Sequence, residues 1–187
     1  MAKNVSSKDG DLEMLECMTC IKAAFQKYDI KHLRDISKRC QKNIVIDEQL
    51  FFYTALLSYT LSKILQKSRY RSPKLYQKVI IKLNEGVEFA KKSDEIFLLR
   101  TIDDMFKTIT DFDERDRRYV INLIEKGRTK IAASLYAQGL SLSRVISITG
   151  AQKQEVLNYS GKTVMSDRVG KTIGAKERLK NAKEIIR

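Results

Sequence analysis

The amino-acid sequence predicts an all-α protein, and three observations lead there. Apolar residues recur at steps of three and four through most of the chain, the repeat of one face of a helix. No segment sustains the period-two alternation of a half-buried strand. The 187 residues contain one Pro and eight Gly, too few turn formers for the many reversals of a β-rich fold.

From Asp11, the residues Met14, Met18, Ile21, Phe25 and Tyr28 follow one another at helical spacing, so a first helix carries them on one face. A shorter helix carries Leu33, Ile36 and Cys40. Asp47-Glu48 opens the most apolar helix, with Leu50, Phe51, Tyr53, Leu57, Leu61, Ile64 and Leu65. Apolar residues cover more than half its circumference, which places it at the centre of the fold. Ser72-Pro73 marks a restart, with Ser at the N-cap and Pro at the first helical position, where a missing N–H costs nothing. That helix carries Leu75, Tyr76, Val79, Ile80, Leu83 and Val87 as far as about Lys92. Ser93 is the expected cap of the next, with Ile96, Leu99, Ile102, Met105, Phe106 and Ile109. Residues 1–112 therefore read as a bundle of about five helices, suited to dimerisation or partner binding, and 113–127 as a helical connection.

Composition narrows the function. Hydrophobic residues at 43% and charged residues at 32% exclude a disordered chain or a collagen. The most apolar stretch, Leu50 to Leu65, is broken by Thr54, Ser58, Thr60, Ser62 and Lys63. It falls short of the ~20 apolar residues that a membrane helix needs. The polar start, Met-Ala-Lys-Asn-Val-Ser-Ser-Lys-Asp-Gly, lacks a signal peptide's apolar core. Three Cys cannot all pair within one chain, which suits a reducing compartment. A cytoplasmic protein with no membrane partner is expected, associated with the nucleoid when bound to DNA.

The net charge is +13, and it is unevenly placed. Residues 1–114 hold 20 basic and 17 acidic side chains, a net of +3, whereas 115–187 hold 16 and 6, a net of +10. Such asymmetry joins a near-neutral module to a cation-rich one that meets a polyanion, nucleic acid first among the candidates. A solvated basic surface is the bland alternative.

Cys17 and Cys20 form a C-x-x-C with His32 and Cys40 downstream, the makings of a Cys3His zinc set. The pair falls within a continuous helical pattern beside its apolar stripe, so core thiols are the better reading, with no metal and no cofactor. Asp103 and Asp104 are adjacent on a helix and point in different directions, so they read as a solvated face. His32 is the single histidine, no Ser stands in G-x-S-x-G, and no catalytic constellation emerges. A non-enzymatic protein is expected.

The informative stretch is Arg128 to Ser160. Ile131, Ala132, Leu135 and Tyr136 define a short helix ending at Gly139. Ser141 caps a second, with Leu142, Val145, Ile146 and Ile148 as packing residues, and Gly150 makes a sharp turn. A third helix runs from about Gln152 to Tyr159, with Val156, Leu157 and Tyr159 turned inward. The spacing of Ile131, Ala132, Leu135, Gly139, Ser141, Val145, Gly150 and Val156, closed by Tyr159, resembles the tri-helical helix-turn-helix of resolvase/invertase-type recombinases, transposases and related regulators. Gln152 stands where that family usually has Ser or Thr. The resemblance covers residues 128–160 and implies a DNA-binding fold; nothing in 1–114 resembles a recombinase catalytic domain.

By that resemblance the third helix enters the major groove, with Gln152, Lys153, Gln154 and Asn158 as base-facing candidates. Arg128, Lys130, Ser141 and Arg144 would lie near phosphates. Two Gly-Lys-Thr triplets follow, but Val156 and Met165 occupy the places where a phosphate-binding loop needs Gly. Residues 161–187 read instead as a basic arm, with Lys162, Arg168 and Lys171 as nucleic-acid contacts, and a last helix from about Ala175 to Ile186. The expectation is a transcriptional regulator that binds duplex DNA as a homodimer through its N-terminal helices. The alternatives are an RNA- or ribosome-associated basic protein and an adaptor whose helix-turn-helix reads no bases.

Overall fold

The computed structural model describes residues 7–44, 46–112 and 117–162; the side chains of 7–12, Arg117, Gly161 and Lys162 stand outside that description. The described residues are helical with no strand. The helices are α1 (Ser7–Gln26), α2 (Ile30–Lys42), α3 (Glu48–Ile64), α4 (Pro73–Lys91), α5 (Glu95–Phe112), α6 (Arg117–Ala137), α7 (Leu142–Thr149) and α8 (Lys153–Lys162), with a 3-10 turn at Ser68–Tyr70. They form two compact units, divided between Ile124 and Glu125 within α6. No described helix is long and apolar enough to cross a membrane.

The first unit is organised around α3. Of its seventeen residues twelve are buried, and it packs on α2 most extensively and on α1 and α5 as well. Asp47 starts it: an Oδ1 accepts the Leu50 N–H at 2.9 Å. Because α3 buries nearly its whole circumference, its hydroxyls cannot reach water and must find acceptors inside the protein. Ser58 Oγ donates to the Leu33 carbonyl of α2 at 2.7 Å, and Ser37 Oγ of α2 donates back to the Ala55 carbonyl at 2.8 Å. Thr54 donates to Leu50 O at 2.8 Å and Ser62 to Tyr59 O at 2.7 Å. Thr60 Oγ1 is buried with no partner among the described residues.

Met14, Met18, Ile21 and Phe25 are buried on α1, as are Leu33, Ile36 and Cys40 on α2. Tyr28 departs from the expected stripe. α1 ends at Gln26, where Tyr28 N–H bonds Phe25 O at 3.1 Å and Asp29 N–H bonds Ala24 O at 2.8 Å. This closing turn puts Tyr28 at φ 53°, off the helix and exposed, its ring stacked on Tyr76 at 5.8 Å.

Ser93, the expected cap of α5, sits instead in the closing turn of α4. It closes α4 at φ 53°, with Ser93 N–H on Ala90 O and Asp94 N–H on Phe89 O. Asp94 is the residue that caps α5, Oδ1 accepting the Phe97 N–H at 3.3 Å. The start of α5 thereby turns Ile96 to solvent and buries Leu98, so the apolar stripe runs through Leu98, Ile102, Met105, Phe106 and Ile109. At the opening of α4, Ser72 takes the N-cap position through its backbone; its side chain makes no capping bond. The start of α6 joins this unit through Tyr119, whose ring lies 6.0 Å from that of Tyr70, and Arg69 sits over both rings at 4.9 and 5.0 Å.

The hydroxyl inventory of α3 gives opposite expectations for two neighbouring positions. Thr60→Val removes an unpaired buried hydroxyl at constant shape and should raise stability by about 1 kcal/mol. Ser58→Ala removes a made bond between α2 and α3 and should lower it by about 1 kcal/mol. Urea denaturation of both variants checks the pair of signs.

Candidate nucleic-acid interface

The second unit begins inside α6, and residues 117–127 of the expected connection run on into the first short helix as one continuous helix. Its core is small. Ile131, Ala132, Ala133, Leu135, Val145, Ala151 and Val156 are buried, and the alanines let the three helices approach closely. Tyr136 is exposed, because α6 turns that position outward one step after Leu135. Leu142, Ile146, Ile148, Leu157 and Tyr159 are half-buried.

Two glycines set the directions of the helices. Gly139 has φ 108° and closes α6, with Gly139 N–H on Tyr136 O and Leu140 N–H on Leu135 O. Gly150 has φ 64° and closes α7 by bonding Ile146 O at 2.8 Å. Side chains with a Cβ rarely adopt either value, so glycine is favoured at both reversals. Ser141 caps α7, its Oγ accepting the Arg144 N–H at 3.3 Å.

The Gly150 turn is locked by residues that spacing alone does not single out. Thr149 is fully buried; its Oγ1 donates to Val145 O at 2.7 Å and accepts the Ala151 N–H at 3.2 Å. Its carbonyl takes Arg128 Nη1 at 3.0 Å. Thr129 Oγ1 on α6 donates to Glu155 Oε2 on α8 at 3.0 Å, so α8 is held to α6. A Thr immediately before a C-terminal Gly is the signal that could have pointed to the lock, since Thr readily bonds back to the preceding helical turn. Nothing in the spacing announces the Arg128 and Thr129 partners, which lie 21 and 26 residues away.

The expected contact residues distribute as follows. Gln152 stands just ahead of α8, its carbonyl accepting the Val156 N–H at 3.1 Å, and α8 starts at Lys153, one residue later than expected. Gln152, Lys153, Gln154 and Asn158 are all exposed. Gln154 Nε2 donates to Asn158 Oδ1 at 3.1 Å, so the two amides share one face of α8. Lys130, Ser141 and Arg144 are exposed on α6 and at the start of α7. Arg128 is half-buried and directs its guanidinium to the turn. With Gln152, Glu125 and Glu155 it lines a cleft of about 200 Å3. The Lys162 side chain, Arg168, Lys171, the basic arm and the last helix lie outside the described residues.

Of the zinc candidates, Cys17 and Cys40 are buried against each other, Cys20 is half-buried and His32 is exposed. Among the described residues no group of three or more His, Cys, Asp or Glu is placed to hold a metal ion. Asp103 and Asp104 are exposed, and both pair with Lys107. No protein-family model, curated protein or solved structure matches this chain.

The lock makes Thr149 the sensitive position of this unit. Thr149→Val keeps the shape but leaves the buried Ala151 N–H without its acceptor, and should cost about 1–3 kcal/mol. Hydrogen exchange at Ala151 should speed up in the variant, with the amides of α3 unchanged.

Proposed function

We propose that this chain is a non-enzymatic DNA-binding protein, most simply a transcriptional regulator, whose helix-turn-helix is formed by α7, the Gly150 turn and α8. The observation that supports this reading best is the locked turn. Thr149 and Arg128 bond within the turn that leads into α8, and Thr129 bonds Glu155 of α8, while Gln152, Lys153, Gln154 and Asn158 stay exposed. A rigid helix with amide and ammonium groups outward has the chemistry for major-groove edges: Gln and Asn pair with adenine, Lys with guanine. Lys130, Ser141 and Arg144 would meet phosphates, joined by the basic arm that includes Lys162, Arg168 and Lys171. The net of +10 over residues 115–187 supplies the attraction.

One such unit buries little DNA surface, so the protein acts as a homodimer reading two half-sites, with the N-terminal bundle joining the copies. Its place is the cytoplasm, on the nucleoid when bound. The test is fluorescence anisotropy of the full chain with duplex DNA over a salt series. Binding should weaken steeply with salt, and Lys153→Ala with Gln154→Ala should relax sequence preference at the cost of about 1–3 kcal/mol per lost base contact. Tighter binding to structured RNA than to duplex DNA overturns the reading in favour of an RNA-associated protein. No nucleic-acid binding at ~100 mM salt leaves an adaptor.

A further inference from the structure

Cys17 and Cys40 form a buried thiol pair within the first unit. They come from different helices, α1 and α2, and are 23 residues apart in sequence. Both are completely shielded from solvent, yet their Sγ atoms lie 3.3 Å apart, with Cys40 donating to Cys17. Two thiols placed only to fill space have no need to face each other. A charged group stands beside them: Arg39 Nη2 is 3.7 Å from Cys17 Sγ, and Arg39 is anchored in turn by Glu16 at 2.9 Å and Glu13 at 4.0 Å. The Cys40 S–H and the Arg39 guanidinium both favour a thiolate at Cys17 and outweigh burial, so its pKa lies below the usual thiol value; that of Cys40 is pushed up, first by the same bond and then by burial. The pair is thus unequal: one sulfur is poised as the nucleophile and the other holds its proton in reserve.

We propose that Cys17 and Cys40 are a dithiol oxidation site, converted by a hydroperoxide into a disulfide that ties α1 to α2. Local opening of α1 from α2 admits the peroxide, and the Cys17 thiolate attacks one of its oxygens; the O–O bond breaks and the released hydroxide takes a proton to leave as water. Cys17 is now a sulfenic acid, two electrons oxidised. The Cys40 sulfur then attacks Cys17 Sγ, the S–O bond breaks, and the departing hydroxide takes the Cys40 proton as a second water. One hydrogen peroxide is reduced to two waters and two thiols become one disulfide. Closing the bond requires the sulfurs to approach from 3.3 Å to about 2.05 Å, a small adjustment of two side chains. Cys20, half-buried and three residues from Cys17, takes no part in the bridge.

The test is thiol counting by mass spectrometry on the full chain treated with hydrogen peroxide, then denatured and alkylated with N-ethylmaleimide. Untreated protein should take three labels and oxidised protein one, at Cys20, with the Cys17 and Cys40 peptides linked and 2 Da lighter than their sum. A dithiothreitol wash should restore three labels. Cys20→Ser should form the same bridge and take no label after oxidation. Three labels after peroxide, a Cys17–Cys20 bridge, or a chain-to-chain Cys20 disulfide in place of the Cys17–Cys40 bridge would each overturn the proposal.

Discussion

The fold depends on the burial of α3. A helix with one apolar stripe can float its other face in water, but α3 has almost no such face, so α1, α2 and α5 must cover it. That burial sets a second requirement. Thr54, Ser58 and Ser62 lie inside and are tolerated because each hydroxyl has a carbonyl within 2.8 Å. Two of the bonds at this contact, from Ser58 to Leu33 and from Ser37 to Ala55, cross between helices in opposite directions. They fix how α2 lies on α3 in a way that shape alone does not, since sliding either helix would strand both donors.

The same accounting governs the second unit, where the core is too small for packing alone to define geometry. There, hydrogen bonds to the Gly150 turn take over. The buried Ala151 N–H would be orphaned by the reversal, and Thr149 Oγ1 satisfies it; the carbonyl left open at the end of α7 is met by Arg128. An arginine that the helix-turn-helix resemblance places near phosphate thus has a structural partner. The basic residues of this unit divide between one that directs its guanidinium to the turn and others, such as Lys153, that remain on the surface.

Much of this was legible in the sequence. The helical repeat, the Asp47 and Ser141 caps, the Ser72-Pro73 restart and the two glycines that end α6 and α7 are local signals, each carried by a residue whose own chemistry favours one backbone state. The misreadings share a cause. Tyr28, Ser93 and Ile96 all sit at helix ends, where a closing turn with a non-glycine residue at φ 53° breaks the register that the periodic pattern would have carried through. Left-handed Tyr and Ser are disfavoured locally and persist only because their surroundings hold them, so the pattern gives no notice of them.

At the candidate interface, the sequence by itself determined the two turns, the exposed amides and lysine of α8, and the concentration of positive charge over residues 115–187. These follow from residue type and spacing. The tertiary structure alone decided that Arg128 and Thr129 bind the turn and α8, that the hydroxyls of α3 divide into satisfied ones and the unpartnered Thr60, and that Cys17 meets Cys40. The Arg128, Thr129, Ser58 and Cys17 contacts each depend on groups 21 or more residues apart being brought within a few ångströms. Helical periodicity specifies which side of a helix is buried. What that side then touches is set by how the helices pack, since pairing between distant side chains is a property of the assembled core.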